Sequence, residues 1–118
     1  MTRQHDVHVA MPGMAEVLAL VAEERARQLE KWGPQSHPDL DPDQSIVLGY
    51  RDLEASVKVV NDAKAQAGLA TWDTILLEEV FEALTAGTVA ERIKELTEVA
   101  AVAVAWIEDL QSREGRNG

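Results

Sequence analysis

Residues 95–110 read ELTEVAAVAVAWIEDL, and this stretch decides the fold class. On a helical wheel of about 100° per residue, residues 99–107 are apolar at every angle. A helix that is apolar all round is buried on most sides, so the stretch predicts a helix within a helical core. Glu98 lies about 40° from Val102 on this wheel, and Glu95 precedes Glu98 by about one turn. We therefore expect both glutamates at the rim of that core.

The preceding helix carries a second group of acids. Residues 76–84 read LLEEVFEAL, and Glu78, Glu79 and Glu82 fall within an arc of about 100° on the wheel. Apolar side chains occupy most of the remainder. Taken alone, this pattern is as typical of a solvated acidic face as of a binding site, and both interpretations stay open at this point.

The rest of the sequence also has helical periodicity and contains no credible strand. Asp41-Pro42 is typical of an N-cap followed by proline at the first helical position. Thr88 and Glu91 have the spacing of a capping box. Glycines and prolines mark the expected breaks between helices. Four main helices are therefore expected, over residues 14–32, 42–66, 71–86 and 88–112.

The expected organisation is one domain with two short tails. We interpret residues 1–13 as a flexible N-terminal tail, residues 14–112 as a single all-α domain, and residues 113–118 as a frayed C-terminal tail. Short connections favour an antiparallel helical bundle of four main helices. A chain of 118 residues buries only about two-thirds of its unfolded surface. We therefore expect the bundle to be completed by oligomerisation, as a homodimer or homotetramer.

Composition excludes several classes of partner and chemistry. The net charge of −10 disfavours nucleic acid polymers and anionic membranes as partners. The absence of cysteine excludes disulfides, thiolate zinc sites and cysteine nucleophiles. Residues 99–107 form the longest apolar run, which is too short to span a bilayer, and the first residues lack the apolar core of a signal peptide. We interpret the protein as soluble and cytoplasmic.

The two acidic groups are expected to meet. A short turn at Gly87 joins the third and fourth helices, which favours antiparallel packing. The pair Glu79/Glu82 precedes this turn by about as many residues as the pair Glu95/Glu98 follows it, so the pairs lie nearly level at about 1.5 Å per residue. Carboxylates at the same level along two adjacent helices repel each other, by about 4 kcal/mol per close pair at an effective dielectric constant of 20. Either some of them are protonated or a divalent cation neutralises them, and oxygen ligands favour Mg²⁺ or Mn²⁺.

These acids carry a resemblance to a known family. Glu79-x-x-Glu82 followed by Glu95-x-x-Glu98, on consecutive helices, resembles the ExxE…ExxD signature of the MazG-like all-α nucleoside triphosphate pyrophosphatases. That superfamily includes the dimeric dUTPases. The N-terminal stretch EERARQLEKWGPQSHPD is similar to the opening helix of one MazG-like subgroup, and the likeness covers most of residues 16–110. This sequence has glutamate in the fourth acidic position, where the family usually has aspartate.

The resemblance implies an activity and a cofactor. Members of the family cleave the α–β phosphoanhydride of a nucleoside triphosphate and release a monophosphate and pyrophosphate, with Mg²⁺ as cofactor. The metal ligands implied here are Glu79, Glu82, Glu95 and Glu98, and the catalytic residues are Glu78 and Glu79. If the protein is such an enzyme, Glu78 binds a second metal or orients the attacking water. The alternative is that Glu78 is a solvent-exposed residue at the edge of the helical core.

Five further residues are candidates for substrate binding: Lys31, Trp32, Arg51, Lys58 and Lys94. Trp32 would stack on a base, although an aromatic residue at a helix end also serves as a packing anchor. The four cations would hold phosphate, and each is equally consistent with an ordinary surface charge.

Three alternatives were weighed against this hypothesis. A ferritin-like carboxylate centre needs Glu-x-x-His on helices, whereas His5, His8 and His37 lie in the tail or a loop. The sequence DLDPDQ begins like an EF-hand loop, but Gln44 and Tyr50 stand where that loop needs glycine and glutamate. The remaining rival is a non-catalytic helical dimerisation or adaptor module, or an inactive relative of the family, whose acids are solvated.

Overall fold

The computed structural model describes residues 13–117, with side chains from residue 13 to residue 114. Every regular element in this range is an α-helix, which confirms the all-α class. The five helices are α1 (Met14–Trp32), α2 (Pro42–Leu48), α3 (Tyr50–Gln66), α4 (Trp72–Thr85) and α5 (Val89–Asn117). The N-terminal tail expected over residues 1–13 lies outside the described residues, except for Gly13.

The second expected helix is two helices, because Gly49 interrupts it. Gly49 has φ 67° and ψ 45°, a left-handed conformation that glycine adopts without steric cost. Its N–H donates to the carbonyl oxygen of Ile46 at 3.1 Å and ends α2, while its own carbonyl accepts from the N–H of Leu53 at 2.9 Å and begins α3. The expectation of one helix over residues 42–66 was therefore wrong, and the chain turns at this glycine.

Two of the expected helix starts are confirmed by their capping bonds. The Asp41 carboxylate accepts from the backbone N–H groups of Asp43 and Gln44, at 3.0 and 3.2 Å, ahead of proline at the first helical position. The Thr88 hydroxyl accepts from the N–H of Glu91 at 3.1 Å. These bonds satisfy N–H groups that have no partner inside the helix.

The last helix continues past its expected end at Ser112 and reaches Asn117. An ion pair one turn apart supports the extension, since Arg113 Nη2 lies 2.6 Å from Asp109 Oδ2. Pairs at this spacing add a few tenths of a kcal/mol to a helix. The frayed tail expected over residues 113–118 is thus helical as far as residue 117.

The chain divides into two compact units. Among the described residues, one unit combines residues 13–37 with residues 104–117, and therefore contains α1 and the second half of α5; Val17 is fully buried in it. The other, residues 38–103, contains α2, α3, α4 and the first half of α5, with Ala83 buried. The single domain expected over residues 14–112 stays a prediction.

Helices α3 and α4 are antiparallel neighbours. Near their connection, Lys64 Nζ donates to the hydroxyls of Thr71 and Thr74. At the far end, the Thr85 hydroxyl donates to Glu54 Oε1 at 3.1 Å. The end of α3 is thus bonded to the start of α4, and the start of α3 is bonded to the end of α4. The two helices therefore run in opposite directions.

Arg92 of α5 connects three parts of the residue 38–103 unit. Its Nε lies 2.8 Å from Asp39 Oδ2, and its Nη1 donates to the carbonyl oxygen of Ala83 at 2.7 Å. That carbonyl belongs to the last turn of α4, which has no basic residue of its own. Arg92 therefore supplies the positive charge that the C-terminal end of α4 favours.

Replacing Arg92 is expected to destabilise this unit. The Arg92 side chain is 12% exposed, and Arg92→Ala removes both charge-assisted hydrogen bonds, at a cost of about 2 kcal/mol. The melting temperature, followed by circular dichroism, should fall by roughly 8–10 °C. Arg92→Lys keeps the charge but not the forked geometry of the guanidinium group, so its melting temperature should lie between those of the wild type and Arg92→Ala. An unchanged melting temperature in Arg92→Ala would contradict this role.

The apolar segment of α5 is less buried than its sequence predicts. Within residues 99–107, Ala100 and Ala101 are exposed and the others are half-buried. The expectation that this segment is buried on most sides was therefore wrong for a single chain. No helix between residues 13 and 117 combines the length and apolar character needed to cross a bilayer.

Candidate metal centre

Four glutamates converge where α4 and α5 lie side by side. Glu79 and Glu82 come from α4, and Glu95 and Glu98 come from α5; one carboxylate oxygen from each lies within 4.8 Å of the others. All four residues are half-buried. The structure thus brings together the two acidic pairs that the sequence predicts to be level, and we call these residues the acid cluster.

Two oxygens of the acid cluster are buried without a hydrogen-bond partner, Oε2 of Glu79 and Oε2 of Glu95. An unpaired carboxylate oxygen removed from water is costly, by a few kcal/mol or more when charged. Such groups in folded proteins are normally paired or coordinate a metal. These two oxygens belong to different helices, so one cation between α4 and α5 would satisfy both.

Mutual repulsion and burial raise the pKa of three carboxyl groups in the acid cluster. Burial, with the negative charges of Glu98 and Glu95, raises the pKa of Glu79. Burial and the negative charge of Glu79 raise the pKa of Glu82 to about 7. A hydrogen bond shared with the Glu98 carboxyl, together with burial, raises the pKa of Glu95. Without a cation, the cluster therefore retains protons at pH values where isolated glutamates have lost them.

Glu78 is held by a side chain that the sequence analysis missed. Asn61 of α3 donates from Nδ2 to Glu78 Oε1 at 2.8 Å and to the carbonyl oxygen of Thr74 at 2.7 Å. The two bonds fix Glu78 between α3 and α4. The only sequence signal for Asn61 was a polar residue inside a helix between apolar positions, which does not identify its partner.

Two of the expected phosphate-binding lysines lie next to acidic residues. Lys94 Nζ is 3.7 Å from Glu98 Oε1 and 3.9 Å from Glu95 Oε1, on the α5 side of the acid cluster. Lys58 Nζ is 3.3 Å from Glu54 Oε2. The hydrogen bond that Lys58 donates to Glu54, followed by the negative charge of Glu54, raises the pKa of Lys58, and the charges of Glu82 and Glu78 add to this effect. Both lysines thus place positive charge beside the carboxylates.

The other substrate-binding candidates are not brought to the acid cluster by any described contact. Arg51 lines an open cavity of about 420 Å³ with Tyr50, Leu84 and Thr85, and none of the clustered carboxylates lines it. Lys31 and Trp32 belong to the unit that contains α1, where Lys31 Nζ lies 5.0 Å from the Trp32 ring centroid. Their assignment as substrate-binding residues stays a prediction.

The ligand chemistry of the acid cluster fits a hard divalent cation. All of the donor atoms are carboxylate oxygens, the type that Mg²⁺ and Mn²⁺ prefer. The unpaired oxygens and raised pKa values describe a site whose negative charge the neighbouring lysines do not fully compensate. The identity of the cation, and the role of these residues as its ligands, stay predictions.

Comparisons of the chain with protein-family models, curated proteins and solved structures give no match.

Proposed function

We propose that this protein is a Mg²⁺-dependent nucleoside triphosphate pyrophosphohydrolase, which converts a nucleoside or deoxynucleoside triphosphate to its monophosphate and pyrophosphate. The observation that carries the proposal is the acid cluster, with two unpaired buried oxygens on adjacent helices. A triphosphate is highly anionic, and a divalent cation held by the acid cluster would supply the positive charge that it needs. The resemblance to MazG-like enzymes supplies the reaction, and nucleotide-pool housecleaning is the corresponding cellular role.

The residues of this chain have distinct proposed roles. Glu79, Glu82, Glu95 and Glu98 hold Mg²⁺, or alternatively Mn²⁺, which neutralises phosphate charge as it grows in the transition state. Glu78 accepts a proton from the attacking water. Lys58 and Lys94 contact phosphate oxygens at the edge of the cluster.

A pyrophosphate-release screen tests the proposal. The panel comprises canonical, deoxy and damaged nucleoside triphosphates, each assayed with Mg²⁺ and with chelator. We expect at least one substrate to release pyrophosphate, and Glu79→Gln and Glu95→Gln to lower the rate by roughly 100-fold or more, by analogy with other losses at metal sites. Glu23→Gln changes the net charge equally at an exposed position on α1 and should leave the rate unchanged.

Asn61 is expected to act as a positioning residue in this reaction. Asn61→Ala frees the Glu78 carboxylate, so kcat should fall by roughly 10–100-fold with little change in KM. Metal-induced stabilisation should persist, because Asn61 contacts none of the four proposed ligands in the described hydrogen bonds. Steady-state kinetics with thermal melts in Mg²⁺ measure both effects. Loss of the metal response in Asn61→Ala would show that it acts on the fold of the site instead.

The rival function is a non-catalytic dimerisation or adaptor module. The observation that favours it is the exposure of large apolar side chains on α5, where Val89 and Ile93 are 67% and 61% exposed. No pyrophosphate release from any nucleotide of the panel, with either cation, would favour the adaptor function.

A further inference from the structure

The open cavity of about 420 Å³ in the residue 38–103 unit has the form of a small-molecule site. Its lining comes from α2 and the residue before its cap, from the first turn of α3 and from the end of α4. Leu40, Ile46 and Leu84 give it apolar surface, and Tyr50 adds an aromatic residue. Cavities of this size that are mostly apolar, with a few polar groups, are typical sites for small organic ligands.

Two opposite charges line this cavity without partners. Arg51 and Asp52 are neighbours in the first turn of α3, and no hydrogen bond or ion pair involves either side chain among the residues that the structure describes. The serine and threonine hydroxyls of the lining already have acceptors. Ser45 donates to a backbone carbonyl at 3.1 Å, and Thr85 donates to the Glu54 carboxylate at 3.1 Å. The ionic groups left for a ligand are therefore one guanidinium and one carboxylate.

The cavity adjoins the acid cluster along α4. Thr85 in the cavity lining follows Glu82 by three residues, which is about 4.5 Å of helical rise, and the two lie about 60° apart on the wheel. Glu54, the carboxylate bonded to Thr85, also pairs with Lys58 at 3.3 Å. Lys58 is one of the two lysines that we place on phosphate oxygens. A ligand in the cavity is therefore followed along α4 by a phosphate-binding lysine and then by the acid cluster.

We propose that this cavity binds the base of the nucleotide substrate and that the base is guanine. The inference rests on the proposed function, because it concerns the base of the same triphosphate. Guanine O6 and N7 accept a fork of two hydrogen bonds from an arginine, and guanine N2 is an amino donor. Arg51 therefore binds O6 and N7, instead of the phosphate expected for it from the sequence, and Asp52 accepts from N2. Adenine has an amino group where guanine has O6, so adenine would meet Arg51 with donor against donor.

Binding of free nucleosides tests the site without metal and without catalysis. In chemical-shift titrations of the full chain, guanosine should shift the amide signals of Thr85 and Ala86, which line the cavity. It should bind about 10-fold more tightly than adenosine, or better. Inosine, which lacks only the N2 amino group, should also bind more weakly than guanosine. Asp52→Asn should remove the difference between guanosine and inosine. Asp62→Asn, at an exposed position of α3 outside the cavity lining, is the matched control and should keep that difference.

Equal affinities for guanosine and inosine in the wild type, or no shift of the cavity signals at millimolar guanosine, would overturn the guanine assignment. The comparison of the two nucleosides in the wild type needs no substitution, so it does not depend on how well a variant folds.

The pyrophosphate-release assay separates this inference from the proposed function. The kcat/KM for GTP or dGTP should exceed that for ATP by about 10-fold or more, and Arg51→Ala should remove this preference. Release from all triphosphates with equal efficiency would overturn the guanine assignment and leave the proposed function standing. Guanosine binding in the cavity without release from any triphosphate would support the site and contradict the proposed function.

Discussion

Addition of Mg²⁺ or Mn²⁺ to the metal-free protein is expected to raise its melting temperature by about 10 °C. A ligand that binds only the folded state at 100 times its dissociation constant stabilises by about 2.7 kcal/mol, and each kcal/mol shifts the melting temperature of a domain of this size by roughly 4 °C. The acid cluster supplies the stabilisation, because a cation pairs the buried oxygens of Glu79 and Glu95 and removes the repulsion among four carboxylates. Differential scanning fluorimetry across a cation titration measures the shift.

The Glu79→Gln variant makes this expectation specific. Without metal, the variant should melt higher than the wild type, because it removes the Glu79 charge, which the charges of Glu98 and Glu95 repel. With metal, the order should reverse, because the wild type gains stability and the variant does not. Glu23→Gln, the exposed control on α1, should respond to metal as the wild type does. A variant that melts below the wild type under both conditions would indicate a purely structural glutamate.

The metal-free protein should also become less stable as the pH rises from about 5 to about 8. The pKa of Glu82 is raised from its usual value near 4.5 to about 7 in the folded state, and the pKa values of Glu79 and Glu95 are raised as well. The folded protein therefore binds more protons than the unfolded chain between these values, and its stability falls as pH rises through this window. For Glu82 alone the loss is about 1–3 kcal/mol after allowance for solvent screening, or roughly 5–10 °C in melting temperature.

A neutral substitution should flatten this pH dependence, and a bound cation should reverse it. Glu82→Gln removes a carboxyl group whose pKa is raised to about 7, so the melting temperature of this variant should vary less between pH 5 and pH 8. Saturating Mg²⁺ should reverse the trend, because cations compete with protons for the carboxylates and bind better at higher pH. A melting temperature that rises with pH in the metal-free wild type would contradict the origin assigned to the raised pKa values.

The acid cluster was predictable because it depends on local rules. The turn near Gly87 sets the direction of α5 relative to α4, and the helical rise then sets which residues are level. Both acidic pairs follow from counting residues outward from that turn. The capping residues Asp41 and Thr88 were predictable for the same reason, since each bonds to N–H groups within three residues of itself.

The features that sequence analysis missed depend on backbone conformation or on distant partners. Gly49 lies within a helical pattern, and nothing in its neighbours distinguishes a tolerated glycine from one with a positive φ. Asn61 and Glu78 are separated by 17 residues, so their bond depends on how α3 packs against α4. The exposure of Ala100 and Ala101 was missed because a helix that is apolar at every angle is expected to be buried on most sides.

Calorimetric titration of the metal-free protein with Mn²⁺ at about pH 6.5, in two buffers of different ionisation enthalpy, tests the central claim most directly. The acid cluster should bind at least one Mn²⁺ per chain and release protons, because the pKa of Glu82 near 7 leaves this carboxyl largely protonated before binding. Glu79→Gln and Glu95→Gln should abolish both the binding and the proton release, while Glu23→Gln should preserve them. If the wild type does not bind Mn²⁺ at millimolar concentration, or if Glu79→Gln binds it equally well, the acid cluster is not a metal centre.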